Sequence, residues 1–156
     1  MTRITTLLGR LRGAALALAA ATLMAGGAAA EGYAPQKVVY HVNYTGGEEH
    51  RAYRGAMRNI QNHINAVGAE NLVTRVMLHG DGVGLLKAAN ADDRLQTTVA
   101  SLKSQGVSFH VCANTLRGRE IDHTTELYDV WEEDIVPSGV AHLSHLQAEG
   151  YTYIKP

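Results

Sequence analysis

The order of elements along this chain predicts an α/β fold, a three-layer α/β/α sandwich around a mainly parallel five-stranded sheet. Three observations carry it. Five short runs rich in β-branched and aromatic residues alternate with segments of helical apolar spacing. Regular alternation of this kind implies parallel strands joined by right-handed crossovers. Gly is frequent, at 16, and Pro scarce, at 3, which suits tight turns between strands and helices.

Each element follows in order. Residues 37–44, Lys-Val-Val-Tyr-His-Val-Asn-Tyr, read as the first strand. Thr45 lies three residues before Glu48, a capping-box spacing, and opens a helix with Tyr53, Ala56, Met57, Ile60, Ile64 and Val67 on one face. Gly68 ends that helix. Residues 71–79 form the second strand, followed by the glycine loop at 79–84 and a short helical turn over 85–89. Asp92 or Asp93 caps a helix with Leu95, Val99 and Leu102 inward, and Gly106 closes it. Residues 107–112 form the third strand, and Ala113 opens a helix directly from it. A further helix is expected between Thr124 and Glu133. Ile135-Val136 is a short fourth strand. Val140, Leu143 and Leu146 line the inner face of a last helix, and residues 151–154 form the fifth strand.

Composition narrows the function classes. The 156 residues suit one domain, and 46% apolar residues are enough for a buried core. A net charge of −1 argues against disorder and against a nucleic-acid binder, which needs a basic face. One cysteine excludes a disulfide scaffold and a cysteine-rich metal site.

The first thirty residues read as a cleavable signal peptide. Arg3, Arg10 and Arg12 precede a short apolar run that ends in Ala28-Ala29-Ala30. That run is shorter than the ~20 residues a membrane span needs. The arginines at 10 and 12 are not adjacent, so the twin-arginine route is not indicated, and no nearby cysteine supports a lipid anchor. The mature domain is then 31–156, periplasmic or secreted, with no membrane attachment after cleavage. Without the leader arginines, 11 basic side chains face 15 acidic ones, a charge of −4. The single Cys112 would meet an oxidising compartment, as a reactive thiol or as an inert, space-filling one.

The strand ends deliver polar groups to one edge of the sheet: Asn43-Tyr44, His79-Gly80-Asp81, and His110 with Cys112. His110 and Cys112 are two apart on a strand and share a face. Cys112 sits where strand turns into helix, and amides at a helix start lower a thiol pKa. The expectation is a reactive, partly exposed thiolate. Gly80-Asp81-Gly82-Val83-Gly84 matches neither dinucleotide nor Walker spacing and reads as a tight turn. His142 and His145, spaced i, i+3, face solvent or another chain. They lack the further ligands of a closed site, so no metal and no other cofactor is expected. His41 and His63 are taken as filling strand and helix surfaces. Residues 129–134 read as a solvated acidic helix face, with Trp131 available as a subunit anchor.

The segment from Gly106 to Leu116, Gly-Val-Ser-Phe-His-Val-Cys-Ala-Asn-Thr-Leu, resembles the cysteine region of the DsrE/DsrF-like (YchN-like) family. Residues 37–42, 78–86, 136–140 and 146–151 match the same pattern in the right order. The resemblance implies an α/β/α fold with a parallel sheet and small homo-oligomers, trimers or hexamers. It also implies sulfur held as a persulfide at the position of Cys112 and passed between sulfurtransferases. The sulfur relays of that family are cytoplasmic, whereas this chain carries an export signal.

The leading reading is therefore an exported sulfur carrier or sulfurtransferase using Cys112. His79, Gly80, His110, Asn114 and Thr115 stand as candidate binding residues, and sulfur donor or acceptor proteins as partners. The alternatives are a non-enzymatic oligomeric module binding a small ligand, with a structural cysteine, and an exported redox or metal sensor.

Overall fold

Five strands, β1 (Gln36–Val42), β2 (Leu72–Leu78), β3 (Ser108–Cys112), β4 (Ile135–Val136) and β5 (Thr152–Ile154), pair in the order β4-β3-β2-β1-β5. Every pairing is parallel. The structure is a computed structural model that describes residues 32–156. The signal-peptide reading of residues 1–30 lies outside the described residues. Among those described, no helix is long and apolar enough to cross a membrane. The observed architecture is the expected α/β sandwich, with helices on both sides of the sheet.

The topology explains why the two faces differ. From β1 to β4 the chain steps across the sheet in one direction, through α1 (Arg51–Val67), α2 (Gly84–Ala89) with α3 (Asp93–Ser104), and α4 (Ala113–Gly118) with α5 (His123–Glu126). Right-handed crossovers made in one direction lie on one face. From β4 the chain reverses to reach β5 at the far edge, so α6 (Gly139–Ala148) lies on the other face.

The strand residues sort accordingly, because side chains alternate. Val38, Tyr40, Val42, Val76, Leu78, Phe109 and Val111 pack with Met57, Ile60, Leu86, Leu95 and Leu102 in one large core. Val39, Met77, Cys112 and Val136 pack with Leu143 and Leu146 of α6 in a smaller one.

Local signals account for most element ends. Gly68 and Gly106 take φ of 89° and 88° and close α1 and α3. Asp92 caps α3 by accepting from the Arg94 and Leu95 amides. Ser138 caps α6 by accepting from the Ala141 amide. The glycine loop is a tight turn: a methyl group on Gly82 would lie 1.9 Å from the Val42 carbonyl oxygen.

Three local expectations are corrected. Thr45 does not form a capping box. Gly46 packs against the Tyr53 ring and accepts from the Ala52 amide at 2.9 Å. The chain then enters α1 through left-handed residues at Gly47, Glu49 and His50. The helix expected between Thr124 and Glu133 stops at Glu126. Leu127 turns extended so that Leu127 and Val130 both reach the large core, and Asp129 takes a left-handed conformation held by Lys103. The acidic run is therefore a solvated turn rather than a helix face, and Trp131 is 62% exposed on it. Val140 is not on the inner face of α6 but 67% exposed. The buried positions are Gly139, Leu143 and Leu146, one turn apart, and Val140 lies a step round the helix from them.

Candidate functional site

Cys112 ends β3 and is the N-cap residue of α4. The chain leaves β3 toward the large core through α4, and leaves β4 toward the other face through α6. The carboxyl ends of these two neighbouring strands thus diverge at Cys112, the switch point where open α/β sheets place their ligands. The start of α6 folds over the thiol, and the Gly139 amide donates to Sγ at 3.2 Å.

The electrostatics of the thiol follow from its amides. Burial pushes the thiol pKa up. The Gly139 amide, the Thr115 amide and hydroxyl, and the Asn114 amide together outweigh that and hold it below the ordinary cysteine range. Thr115 is set for its part because its Oγ1 accepts from the Gly80 amide at 2.9 Å, leaving the hydroxyl proton free for sulfur. The positive φ of Gly80, 54°, turns that amide toward Thr115. Asn114 contributes only its amide, since its side-chain oxygen accepts from Arg117.

The expectation of a partly exposed thiol is corrected: Cys112 is 5% exposed in one chain. The reason is α6, whose placement on this face sequence spacing does not reveal. Gly139 fits closely here. A methyl group there would lie 3.0 Å from the His79 Cβ and the Met77 Cε, and 3.3 Å from the Cys112 Cβ. His79 and Cys112 thus rise from the sheet on either side of the first residue of α6.

His110 does share the face of Cys112, but its contact is with His142, ring centroids 4.9 Å apart. Neither ring nitrogen of His110, nor Nε2 of His142, has a hydrogen-bond partner, although all three are buried. Burial first, then the neighbouring His142 and Arg75, lowers the His110 pKa to about 4. The placement of His142 in solvent is therefore corrected: it is half-buried on the side of α6 that faces His110, while His145 is exposed and 3.3 Å from Glu149. Among the described residues, no group of three or more His, Cys, Asp or Glu side chains is placed to hold one metal ion.

Sequence reasoning missed two side chains. His41 is buried rather than a surface filler, and its Nε2 lies 2.6 Å from Nε2 of His79, the two ring planes 23° apart. Its Nδ1 lies 2.7 Å from the hydroxyl of Tyr153. Burial first, then His79 and Lys155, lowers the His41 pKa to about 4. The only signal in the sequence was a histidine inside an apolar strand. Its partner Tyr153 is 112 residues away and meets it because β5 pairs with β1. His63 does sit on a helix surface, bridging Tyr40 and Gln36.

Two clefts open elsewhere. One of about 340 Å³ is lined by Leu127, Val130 and Trp131, and one of about 440 Å³ lies between α1 and α3. Neither takes in Cys112, His79 or Gly80.

The comparisons with known proteins bear on the family and the fold. No curated protein matches the chain. A solved protein of unknown function, MTH1491 from Methanobacterium thermoautotrophicum, shares 30% identity, with a TM-score of 0.63 over 78% of this chain and 99% of that one. The DsrE/DsrF-like family model matches residues 36–156, from the first residue of β1 to the last of the sequence. A parallel sheet in this order, with the cysteine at its switch point, is thus found in a chain that belongs to the DsrE/DsrF-like family.

Proposed function

We propose that the protein is a sulfur carrier that holds sulfane sulfur as a persulfide on Cys112. A thiolate attacks sulfane sulfur where a neutral thiol does not, so the proposal turns on the state of Sγ. The observation that carries it is the convergence of the Gly139, Thr115 and Asn114 amides on a thiol whose pKa they lower. The same amides stabilise a persulfide anion. His79 and Gly80 frame the site, and His110 lies behind it. The family supports a sulfur-relay fold. Donor and acceptor proteins, a trimeric or hexameric assembly and a location outside the cytoplasm complete the proposal.

The burial of Cys112 favours a second reading, a ligand-binding module with a structural thiol. One experiment separates them. The protein is incubated with thiosulfate or polysulfide, and the mass of the cysteine peptide is measured. A gain of ~32 Da on Cys112, absent in Cys112→Ser, is expected. Alkylation should also follow a pKa below the ordinary value of about 8.5. Equal sulfur on wild type and Cys112→Ser, or a thiol inert in the folded state, would establish the binding module instead.

A further inference from the structure

We propose that Tyr153, His41 and His79 form a proton wire between solvent and the Cys112 thiol. The inference rests on the persulfide reading above and deepens it.

The three side chains come from three segments on one face of the sheet. Tyr153 lies on β5 opposite Val39, His41 on β1 opposite Met77, and His79 directly follows β2. Their contacts are continuous: Tyr153 hydroxyl to His41 Nδ1 at 2.7 Å, and His41 Nε2 to His79 Nε2 at 2.6 Å. The outer end is wet, since Tyr153 is 40% exposed. The inner end reaches the thiol's surroundings, because His79 and Cys112 both border the first residue of α6. The thiol itself has almost no direct access to water. A proton leaving Sγ therefore needs a carrier.

The chemistry of two neutral imidazoles sets a direction. Each has one donor and one acceptor nitrogen. Only two arrangements satisfy both contacts. In the first, His79 Nε2–H donates to His41 Nε2, His41 Nδ1–H donates to the Tyr153 oxygen, and the Tyr153 proton points to water. His79 Nδ1 is then bare. In the second, every proton has moved one place outward: His79 carries its proton on Nδ1, His41 Nε2–H donates to His79, and Tyr153 donates to His41. The passage of one proton from the His79 side to water converts the first arrangement into the second. Burial first, and then Lys155, disfavours a resting imidazolium on either ring, which suits transfer rather than storage of charge.

The step balances. With a persulfide donor R–S–SH, the Cys112 proton passes to His79 Nδ1, directly or through a water, and Tyr153 releases one proton to solvent. Sγ attacks the outer sulfur and a new S–S bond forms. The donor's S–S bond breaks, and its electron pair stays on R–S⁻, which takes up a proton from solvent. Nothing is oxidised or reduced overall. Acceptance of a proton by Sγ, after an acceptor thiolate removes the outer sulfur, runs the wire inward and resets it.

The test uses the whole protein and glutathione persulfide, with single-turnover loading of Cys112 followed across pH. The thiolate fraction is read separately by ultraviolet absorbance. Tyr153→Phe keeps the ring and removes the outer link; His41→Gln breaks the middle one. Both should slow loading about tenfold or more below the thiol pKa, at unchanged thiolate fraction. Added imidazole should restore part of the His41→Gln rate. If His41→Gln does not fold, Tyr153→Phe decides alone. Wild-type loading rates in the variants at every pH would overturn the wire and leave the persulfide reading standing. So would a loss that merely tracks thiolate fraction. No sulfur on wild-type Cys112 would overturn both.

Discussion

The two faces of the sheet are built from the same strands yet differ in kind. The face under α1, α2 and α3 is mainly apolar. Its core runs from Val38 to Val130, and the buried polar side chain on its strands is Thr74, which alternation places with Leu72 and Val76. The face under α6 carries His41, His79, His110 and Cys112 along its strands, with His142 above them and only six buried members in its apolar cluster. One helix covers what four helical segments cover on the other side. Parallel sheets ordinarily bury both faces. Here Val73, in the middle of the sheet, is exposed. The difference teaches that one face holds most of the apolar core and the other gathers the histidines and the cysteine, at some expense in packing.

The largest effect should come from breaking the apolar face. Phe109 is among its largest fully buried side chains, so Phe109→Ala should destabilise the protein by about 3–5 kcal/mol. Urea unfolding measures it. Removing the polar neighbour one step along β3 should do the reverse: His110→Leu deletes two buried nitrogens without partners, and should leave stability at pH 7 unchanged or raised. A loss as large as that of Phe109→Ala would erase the distinction between the faces.

Acid tests the buried histidines, of which His41 and His110 lie on the face under α6. His41 and His110 have folded-state pKa values of about 4, below the ordinary 6.5, so both are neutral in the fold. The unfolded chain binds protons below about pH 6.5 that the folded chain refuses. Stability is therefore full above about pH 6.5 and falls as pH drops toward 4. The His110 share of that fall is roughly 3 kcal/mol. Urea melts at successive pH values check it, and His110→Leu should flatten the slope.

A subtler variant touches the join between helix and thiol. Gly139→Ala places a methyl group 3.0 Å from His79 and Met77 atoms. It should cost about 1–3 kcal/mol. As α6 shifts and its first amide leaves Sγ, the thiol pKa should rise toward the ordinary value, which pH-dependent alkylation reads. The smallest effect belongs to Val140. Being exposed on α6, Val140→Ser should change stability by no more than about 0.5 kcal/mol. A larger loss that deepens with protein concentration would locate a subunit contact there.

Much of this was legible because it is local. Leu95, Val99 and Leu102 announce α3 by spacing, Asp92 its start and Gly106 its end. The strand to Cys112 and the helix after it are read from adjacent residues. The turn after Glu126 was not legible. Leu127 and Val130 fit a helical period as well as a bent path, and only the core beneath them chooses the bend. His142 was misplaced for a related reason. Helical spacing reports which residues share a stripe, but not that His110, its ring nitrogens buried, lies beneath the stripe's border.

The sequence by itself determined the five strands, their alternation with helices, and a cysteine at a strand-to-helix junction. These depend on side-chain periodicity and on glycine or polar caps within a few residues. The tertiary structure alone decided that β5 joins β1 at the far edge. That choice reverses the chain after β4 and sends α6 to the second face. There it brings the Gly139 amide to Sγ, shields the thiol from water, and sets Tyr153 against His41 and His41 against His79. Periodicity encodes how much of an element is buried, not against what. Contacts between residues a hundred positions apart come from the joint packing of whole faces under the handedness of the crossovers.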